Sequence, residues 1–242
     1  MRVSRFYCPN LSATATQLVL PERVYRHAIQ VLRLKSGAVM QLFDGKGLER
    51  EAVLSLVEKR QAEVTLGAQI DNQSESPLPI TLLQGVSRGE KMDFAIQKAV
   101  ELGVTRIVPV LTQRSNVQLK GERAEKRYQH WQGVIESACE QSGRAWLPEL
   151  AAISELSTVL QQQDAAVKLV LDPQADIGFS QLHKPDALSL LIGPEGGLSD
   201  EEIQQAQQHG FIALRFGPRI LRTETAALAT LAVVQTLWGD LA

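Results

Sequence analysis

Two hydrophobic periodicities divide the chain. Up to about residue 72 the apolar positions fall in short runs that read as strands: Val39 to Phe43, Arg50 to Val57 and Ala62 to Ile70, with Arg5-Phe6-Tyr7 as an edge strand. Asp44-Gly45 marks a hairpin, and Glu58 to Gln61 a second. One amphipathic helix interrupts them, Glu22 to Leu32 after Pro21, with Val24, Ala28, Val31 and Leu32 on its apolar side. The polar, turn-rich stretch Asp71 to Pro77 then reads as a linker. From Pro79 strands and helices alternate, which predicts a parallel α/β sheet. Its strands are Ile80 to Gln84, Ile107 to Leu111 and Lys168 to Leu171, the last ended by Asp172-Pro173; its helices are Glu90 to Leu102, Arg123 to Cys139 and Ser154 to Gln162. Residues 1–72 are therefore expected to form a small β-barrel domain and residues 73–242 an α/β domain.

Two strand–turn–helix units close the chain. Leu188 to Ile192 runs into Gly193-Pro194-Glu195-Gly196-Gly197, and Phe211 to Phe216 into Gly217-Pro218-Arg219-Ile220-Leu221-Arg222. Ser199 with Glu202 forms a capping box for the helix after the first turn. Thr223 reads as the N-cap of a second helix, Glu224 to Trp238. Ligands of open α/β sheets gather where loops leave the carboxyl ends of strands. A phosphate cradle would add a lysine and a hydroxyl, and neither turn has that run. The turns carry Glu195 and Glu224 instead, and a carboxylate suits a cation or a ribose diol rather than a phosphate. The pattern points to a phosphate-free adenosine ligand with positive charge, and S-adenosylmethionine meets that description. A side chain at Gly196 is expected to intrude on its pocket.

The final helix has almost no polar face, which implies burial either in the core or, the reading favoured here, in a homodimer interface. Charge is uneven. Residues 1–72 hold ten Lys/Arg against seven Asp/Glu, +3, whereas the remainder carries −5. That asymmetry makes Arg2, Arg5, Arg23 and Arg26, with Arg88 further on, candidate RNA contacts. Two isolated cysteines, Cys8 and Cys139, and four scattered histidines offer neither a disulfide framework nor metal-ligand spacing. No apolar run approaches a membrane span, and the N-terminus lacks the apolar core of a secretion signal. A cytoplasmic, metal-free protein is expected.

One motif competes. Gly85-Val86-Ser87-Arg88-Gly89 matches the nucleophile elbow of serine hydrolases, with Asp172 and then His183 or His209 following in hydrolase order. Only three positions of that motif are fixed, and no oxyanion-hole loop of the His-Gly-Gly-Gly type precedes it. A polar loop offering Ser87 and Arg88 to a ligand or an RNA backbone is the alternative. A non-enzymatic RNA-binding protein is a third reading of the basic N-terminal part.

The run Ser87-Arg88-Gly89-Glu90-Lys91-Met92-Asp93, followed by Lys98 to Val104, resembles the RsmE family of ribosomal RNA methyltransferases. So do Arg114-Ser115, Glu140 to Arg144, Ile192 to Gly197 and Leu221 to Ala226, in order along the whole chain. The resemblance implies a SPOUT-type knotted parallel-sheet methyltransferase domain behind an N-terminal PUA-like β-barrel, and a homodimer. It implies S-adenosylmethionine as donor and N3-methylation of one uridine in 16S ribosomal RNA of the small subunit. Cofactor contacts are then expected from Leu171, Ile192, Gly193, Pro194, Glu195, Gly196, Gly197, Gly217, Ile220, Leu221, Arg222, Glu224, Thr225 and Ala226. Arg114, Arg144 and Arg222 are candidate stabilisers of a uridine anion and Glu140 the candidate base.

Overall fold

The computed structural model describes residues 3–115 and 119–241. Two units stand out, Met1–Glu75 with Glu136–Leu147, and Ser76–Ile135 with Pro148–Ala242. The sequence placed the border at residue 72 and gave it one crossing. The return of residues 136–147 to the first unit leaves no mark in the sequence, because they begin inside a long helix whose pattern has no break.

In the first unit β1 (Ser4–Tyr7), β2 (Gln17–Val19), β3 (Val39–Phe43), β4 (Glu49–Val57) and β5 (Ala62–Gln69) form one sheet in the order β1-β3-β4-β5-β2. The alternation of β4 and β5 buries Ala52, Leu54, Ala62, Val64 and Leu66 on one face. The three-residue β2 carried too short a pattern to be expected. The predicted helix at Glu22 splits into α1 (Glu22–Tyr25) and a π-turn over Arg26–Val31. Val24 and Ala28 are buried as expected, but Val31 and Leu32 are exposed, because the wider turn rotates them off the apolar face. Arg50, only 9% exposed, donates to the carbonyls of Ser12, Ala15 and Gly67 and ties the loop before β2 to the sheet.

The second unit holds β6 (Ile80–Gly85), α2 (Glu90–Glu101), β7 (Arg106–Leu111), α3 (Glu122–Ser142), β8 (Glu149–Leu150), β9 (Ser154–Glu155), α4 (Leu156–Gln161), β10 (Val167–Leu171), β11 (Leu188–Ile192), α5 (Asp200–Gln208), β12 (Ile212–Leu214) and α6 (Thr223–Trp238), the end of α3 excepted. Its strands run parallel in the order β12-β10-β11-β6-β7-β8, with β9 also on β7. β11 is buried at every position, as a central strand covered on both faces must be.

One face of α6 packs on α2, burying Ala227, Leu231, Val234 and Gln235. Gln235 donates to Leu102 O and accepts from Ser76 Oγ, both at 2.8 Å. Gly103 ends α2 with φ +78°, and a Cβ there would stand 2.6 Å from Gln235 Nε2. At least half of this helix thus serves the core of its own unit. Among the described residues no helix is long and apolar enough to cross a membrane, and no group of three ligating side chains could hold a metal ion.

Candidate functional site

A cavity of about 380 Å³ lies at the carboxyl ends of β10, β11 and β12. This is where an open parallel sheet places its ligands. β10 lies between the other two strands, so both glycine turns reach one cavity although 20 residues separate Gly197 from Gly217. Leu171, Ile192 to Gly197, Gly217, Ile220, Leu221 and Ala226 line it. Arg222, Glu224 and Thr225 are not among its walls. Asp172, Pro173 and Gln174 line it too and were not anticipated, since the strand order that brings the end of β10 between the turns leaves no mark in local sequence.

Three contacts fix the first turn. Gly85 ends β6 so close beneath it that a Cβ would lie 2.4 Å from Pro194 N and 2.6 Å from Pro194 Cδ. Thr223 Oγ1 donates to Gly193 O at 2.6 Å and accepts from Gln84 Nε2 at 3.0 Å. Arg114, anticipated as a catalytic group, donates to Gly196 O and Leu198 O at 3.2 and 3.1 Å and lines the cavity. Thr223 was expected to cap α6. It makes no capping bond; Arg222 occupies the N-cap, and the threonine hydroxyl is spent on the turn. The capping box of α5 forms as expected, Ser199 Oγ accepting from Glu202 N and Glu202 Oε2 from Ser199 N. Glu202 Oε1 also accepts from Gln113 N at 2.8 Å, steadying the backbone beside Arg114. At Gly196 the expected intrusion goes elsewhere: a Cβ would meet Arg114 Cβ at 2.9 Å.

Glu195 Oε1 accepts from Arg88 N at 3.0 Å and faces Lys91 Nζ at 3.6 Å. Its Oε2 is buried without a hydrogen-bond partner among the described residues, as is Glu224 Oε2. Burial pushes the Glu195 carboxyl up, but the N–H groups of Arg88 and of Glu195 itself, the Lys91 ammonium and the Ser87 hydroxyl together outweigh it and hold the group below its ordinary 4.5. A depressed carboxyl stabilises the fold above its unfolded value and ceases to as pH falls through the folded one. The stability gap between the parent and Glu195→Gln should therefore be constant from neutral pH to 4.5 and close below it, as read by urea melts.

Ser87 is 5% exposed, and its Oγ donates to Gly85 O at 3.3 Å. A nucleophile elbow presents its hydroxyl outward. That burial removes the hydrolase reading, and Gly85 is explained by the nearness of Pro194.

The other anticipated groups lie in the first unit. Arg5 has a side chain 8% exposed and donates to both Glu49 oxygens, at 2.7 and 3.0 Å, and to Cys139 O. Arg144 is 3% exposed and holds Glu75 Oε2 through two nitrogens, at 3.0 and 2.7 Å. Glu140 Oε1 accepts from Tyr7 N at 3.0 Å. Arg23 pairs with Glu136 and Arg26 with Glu22, both arginines largely open to solvent. Arg2 lies outside the described residues.

Comparison with known proteins places this arrangement. An RNA methyltransferase domain model matches residues 74–235, and an RNA methyltransferase PUA domain model matches residues 20–67. The fold and cavity are thus those of an RNA methyltransferase with an appended PUA domain. The chain is 36% identical to ribosomal RNA small subunit methyltransferase E of Buchnera aphidicola subsp. Schizaphis graminum, over 93% of each chain, and 29% identical to that of Bacillus subtilis, over 88% and 89%. Among solved structures it superimposes on the Neisseria gonorrhoeae ribosomal RNA small subunit methyltransferase E bound to S-adenosyl methionine, with TM-score 0.94 and 41% identity over all of both chains. A Legionella pneumophila protein in complex with the bound cofactor SAM gives TM-score 0.96 at 39% identity, again over both whole chains. The chain belongs to the ribosomal RNA small subunit methyltransferase E family, RsmE.

Proposed function

We propose that this protein transfers a methyl group from S-adenosylmethionine to N3 of one uridine in 16S ribosomal RNA of the small subunit. The cavity at the ends of β10, β11 and β12 carries this reading: glycine turns and apolar side chains make much of its wall, its cations are Arg114 and Arg219, and Asp172, Glu195 and Asp200 bring carboxylates to it. Such walls suit a flat, phosphate-free nucleoside with positive charge. A ribosomal RNA small subunit methyltransferase E relative at 36% identity, and structural neighbours at 39% and 41% that hold S-adenosylmethionine, support the same donor and RNA. When bound, S-adenosylmethionine supplies a methyl group activated by its sulfonium.

The chain's own task is to position the nucleotide and favour the anionic form of the attacking nitrogen. Uridine N3 carries a proton and attacks poorly until it leaves. Arg114, held by Gly196 O and Leu198 O at the cavity wall, is our choice of anion stabiliser. Arg222, exposed at the start of α6, is a second candidate; Glu140 and Arg144, the base and further stabiliser that the family motif suggests, lie in the first unit and are engaged there by Tyr7 N and Glu75. The reading includes the SPOUT trefoil knot in the second unit, a PUA-like barrel in the first, and cytoplasmic action. It also includes a homodimer, supported by the outward Ile220, 86% exposed, and Leu237, 52% exposed.

Incubation with labelled S-adenosylmethionine and small ribosomal subunits tests it. Label should enter 16S RNA as 3-methyluridine; absence of transfer to both intact subunits and free RNA would overturn the reading. Arg114→Ala should lower turnover by about a hundredfold, the scale of one lost oxyanion donor, on top of the donor affinity lost with its hold on Gly196 O and Leu198 O.

A further inference from the structure

We infer that the groove between the β6–α2 loop and α3 is a track for the RNA backbone, leading the substrate strand to the methyl-donor cavity. This rests on the transferase reading above. The groove, of about 740 Å³, is walled by Val86 to Gly89 on one side and by α3 residues on the other. Arg88, Arg123, Lys126 and Arg127 line it, and no carboxylate is among its lining residues. That is a marked local excess in a chain of net charge −2.

The helix sorts its charges by face. Arg123, Lys126, Arg127 and His130 follow the i, i+3, i+4, i+7 spacing of a single stripe, whereas Glu122, Glu125 and Gln129 repeat on the next one. Lys126 and Glu122 meet only at 4.0 Å with both side chains open to water, an ion pair that neutralises little. Ordinary helix-surface pairing would have interleaved the signs.

The stripe is held firmly. Trp131 is buried at the groove, and its Nε1 donates to Asp93 Oδ1 at 3.2 Å, while His130 Nε2 lies 2.8 Å from Asp93 Oδ2. Asp93 on α2 thus fixes α3 at this point and spends both oxygens doing so. From Arg123 to Arg127 the cations extend over roughly 6 Å of helix, with Arg88 on the facing wall, a spread longer than a single phosphate group. An extended polyanion fits that spread better than a free phosphate or a small phosphorylated metabolite.

The groove also adjoins the donor cavity through one carboxylate. Arg88, on the groove wall, gives its backbone N–H to Glu195, on the cavity wall. A strand bound along α3 would pass directly over this shared partition. Such contacts position the RNA without reading its sequence.

The test is the triple variant Arg123→Gln/Lys126→Gln/Arg127→Gln, all on the surface of α3. Binding to purified small ribosomal subunits is measured across a series of salt concentrations at fixed magnesium. Each lost phosphate contact should reduce the slope of log affinity against log salt by about 0.7 to 0.9, hence by about 2 to 3 for the triple variant. S-adenosylmethionine affinity by calorimetry should match the parent, which also certifies the fold. An unchanged slope with intact donor binding would overturn the groove, whether it then serves a small anion or nothing. Methyl transfer by the parent is scored in the same samples, so failure of the transferase reading shows separately as a parent that binds subunits and leaves them unmethylated.

Discussion

Replacing Gly85 by alanine is expected to weaken S-adenosylmethionine binding by roughly thirty- to a hundredfold, the equivalent of about 2–3 kcal/mol. Backbone strain is not the reason, since Gly85 does not adopt a left-handed conformation. Space is. The added methyl would stand 2.4 Å from Pro194 N, 2.6 Å from Pro194 Cδ and 2.8 Å from Gly193 C. These are backbone and ring atoms with no rotamer to escape into, so the turn itself must shift. Gly85 is paired to Val110 in the interior of the sheet and cannot retreat. Overpacking of this kind costs about 1–3 kcal/mol, and here the softer partner is the Gly193–Gly197 turn that walls the cavity. Donor affinity should therefore fall more than overall stability. Calorimetry with S-adenosylmethionine checks this beside a urea melt; a variant with parental affinity would show that the turn's position does not govern the donor site.

Periodicity carried most of the fold. The parallel strands stand out because a strand covered on both faces must be apolar throughout, as Leu188 to Ile192 is. Helices with one buried stripe, such as α2 with Met92, Ala95, Ile96 and Ala99, declare themselves the same way. What stayed hidden depends on neighbours distant in sequence. β12 shrinks to Ile212–Leu214 where an apolar run suggested six residues, because only those three find a partner on β10. The short strands Gln17–Val19, Glu149–Leu150 and Ser154–Glu155 exist because β5 or β7 offers them an edge, not because of their own residues.

The site divides along the same line. Glycines of both turns and Glu195 of the first marked the cavity wall, whereas Glu224 does not line it. Side chains whose role is set by burial could not be read the same way. Arg5 looks like an exposed cation of a basic module and Arg144 like a stabiliser of the reaction, yet the fold turns both inward onto Glu49 and Glu75. Both carboxylates lie more than 40 residues away along the chain from their arginines, at separations of 44 and 69. A charge count sees a cation available to RNA; only tertiary packing reveals that a phosphate would first have to displace a carboxylate. The stripe on α3 is the converse case. Its spacing is visible in sequence, but its meaning emerges when the loop after β6 forms the facing wall.

Thr223→Val should cost about 2–4 kcal/mol of stability and at least tenfold in donor affinity, although it keeps the side chain's shape. Thr223 is buried and its hydroxyl joins three elements: it gives its proton to Gly193 O on the turn after β11 and receives one from Gln84 Nε2 at the end of β6, while its own backbone starts α6. Valine withdraws both bonds at once. One N–H of the fully buried Gln84 is left unpaired, a loss of about 1–3 kcal/mol, and Gly193 O loses the bond that tethers it. Gln84 is fully buried and its Oε1 already lacks a partner among the described residues, so it has little room to recover. Its remaining bond, to Gly85 O at 3.2 Å, is long. Release of Gly193 then loosens the turn that walls the donor cavity. Thr223→Ser separates hydroxyl from shape: it retains both hydrogen bonds and loses one methyl, so its affinity for S-adenosylmethionine should stay within a few-fold of the parent. If valine bound the donor as well as serine does, the three-way hydrogen bond would be an incidental contact, and the turn would owe its position to packing alone.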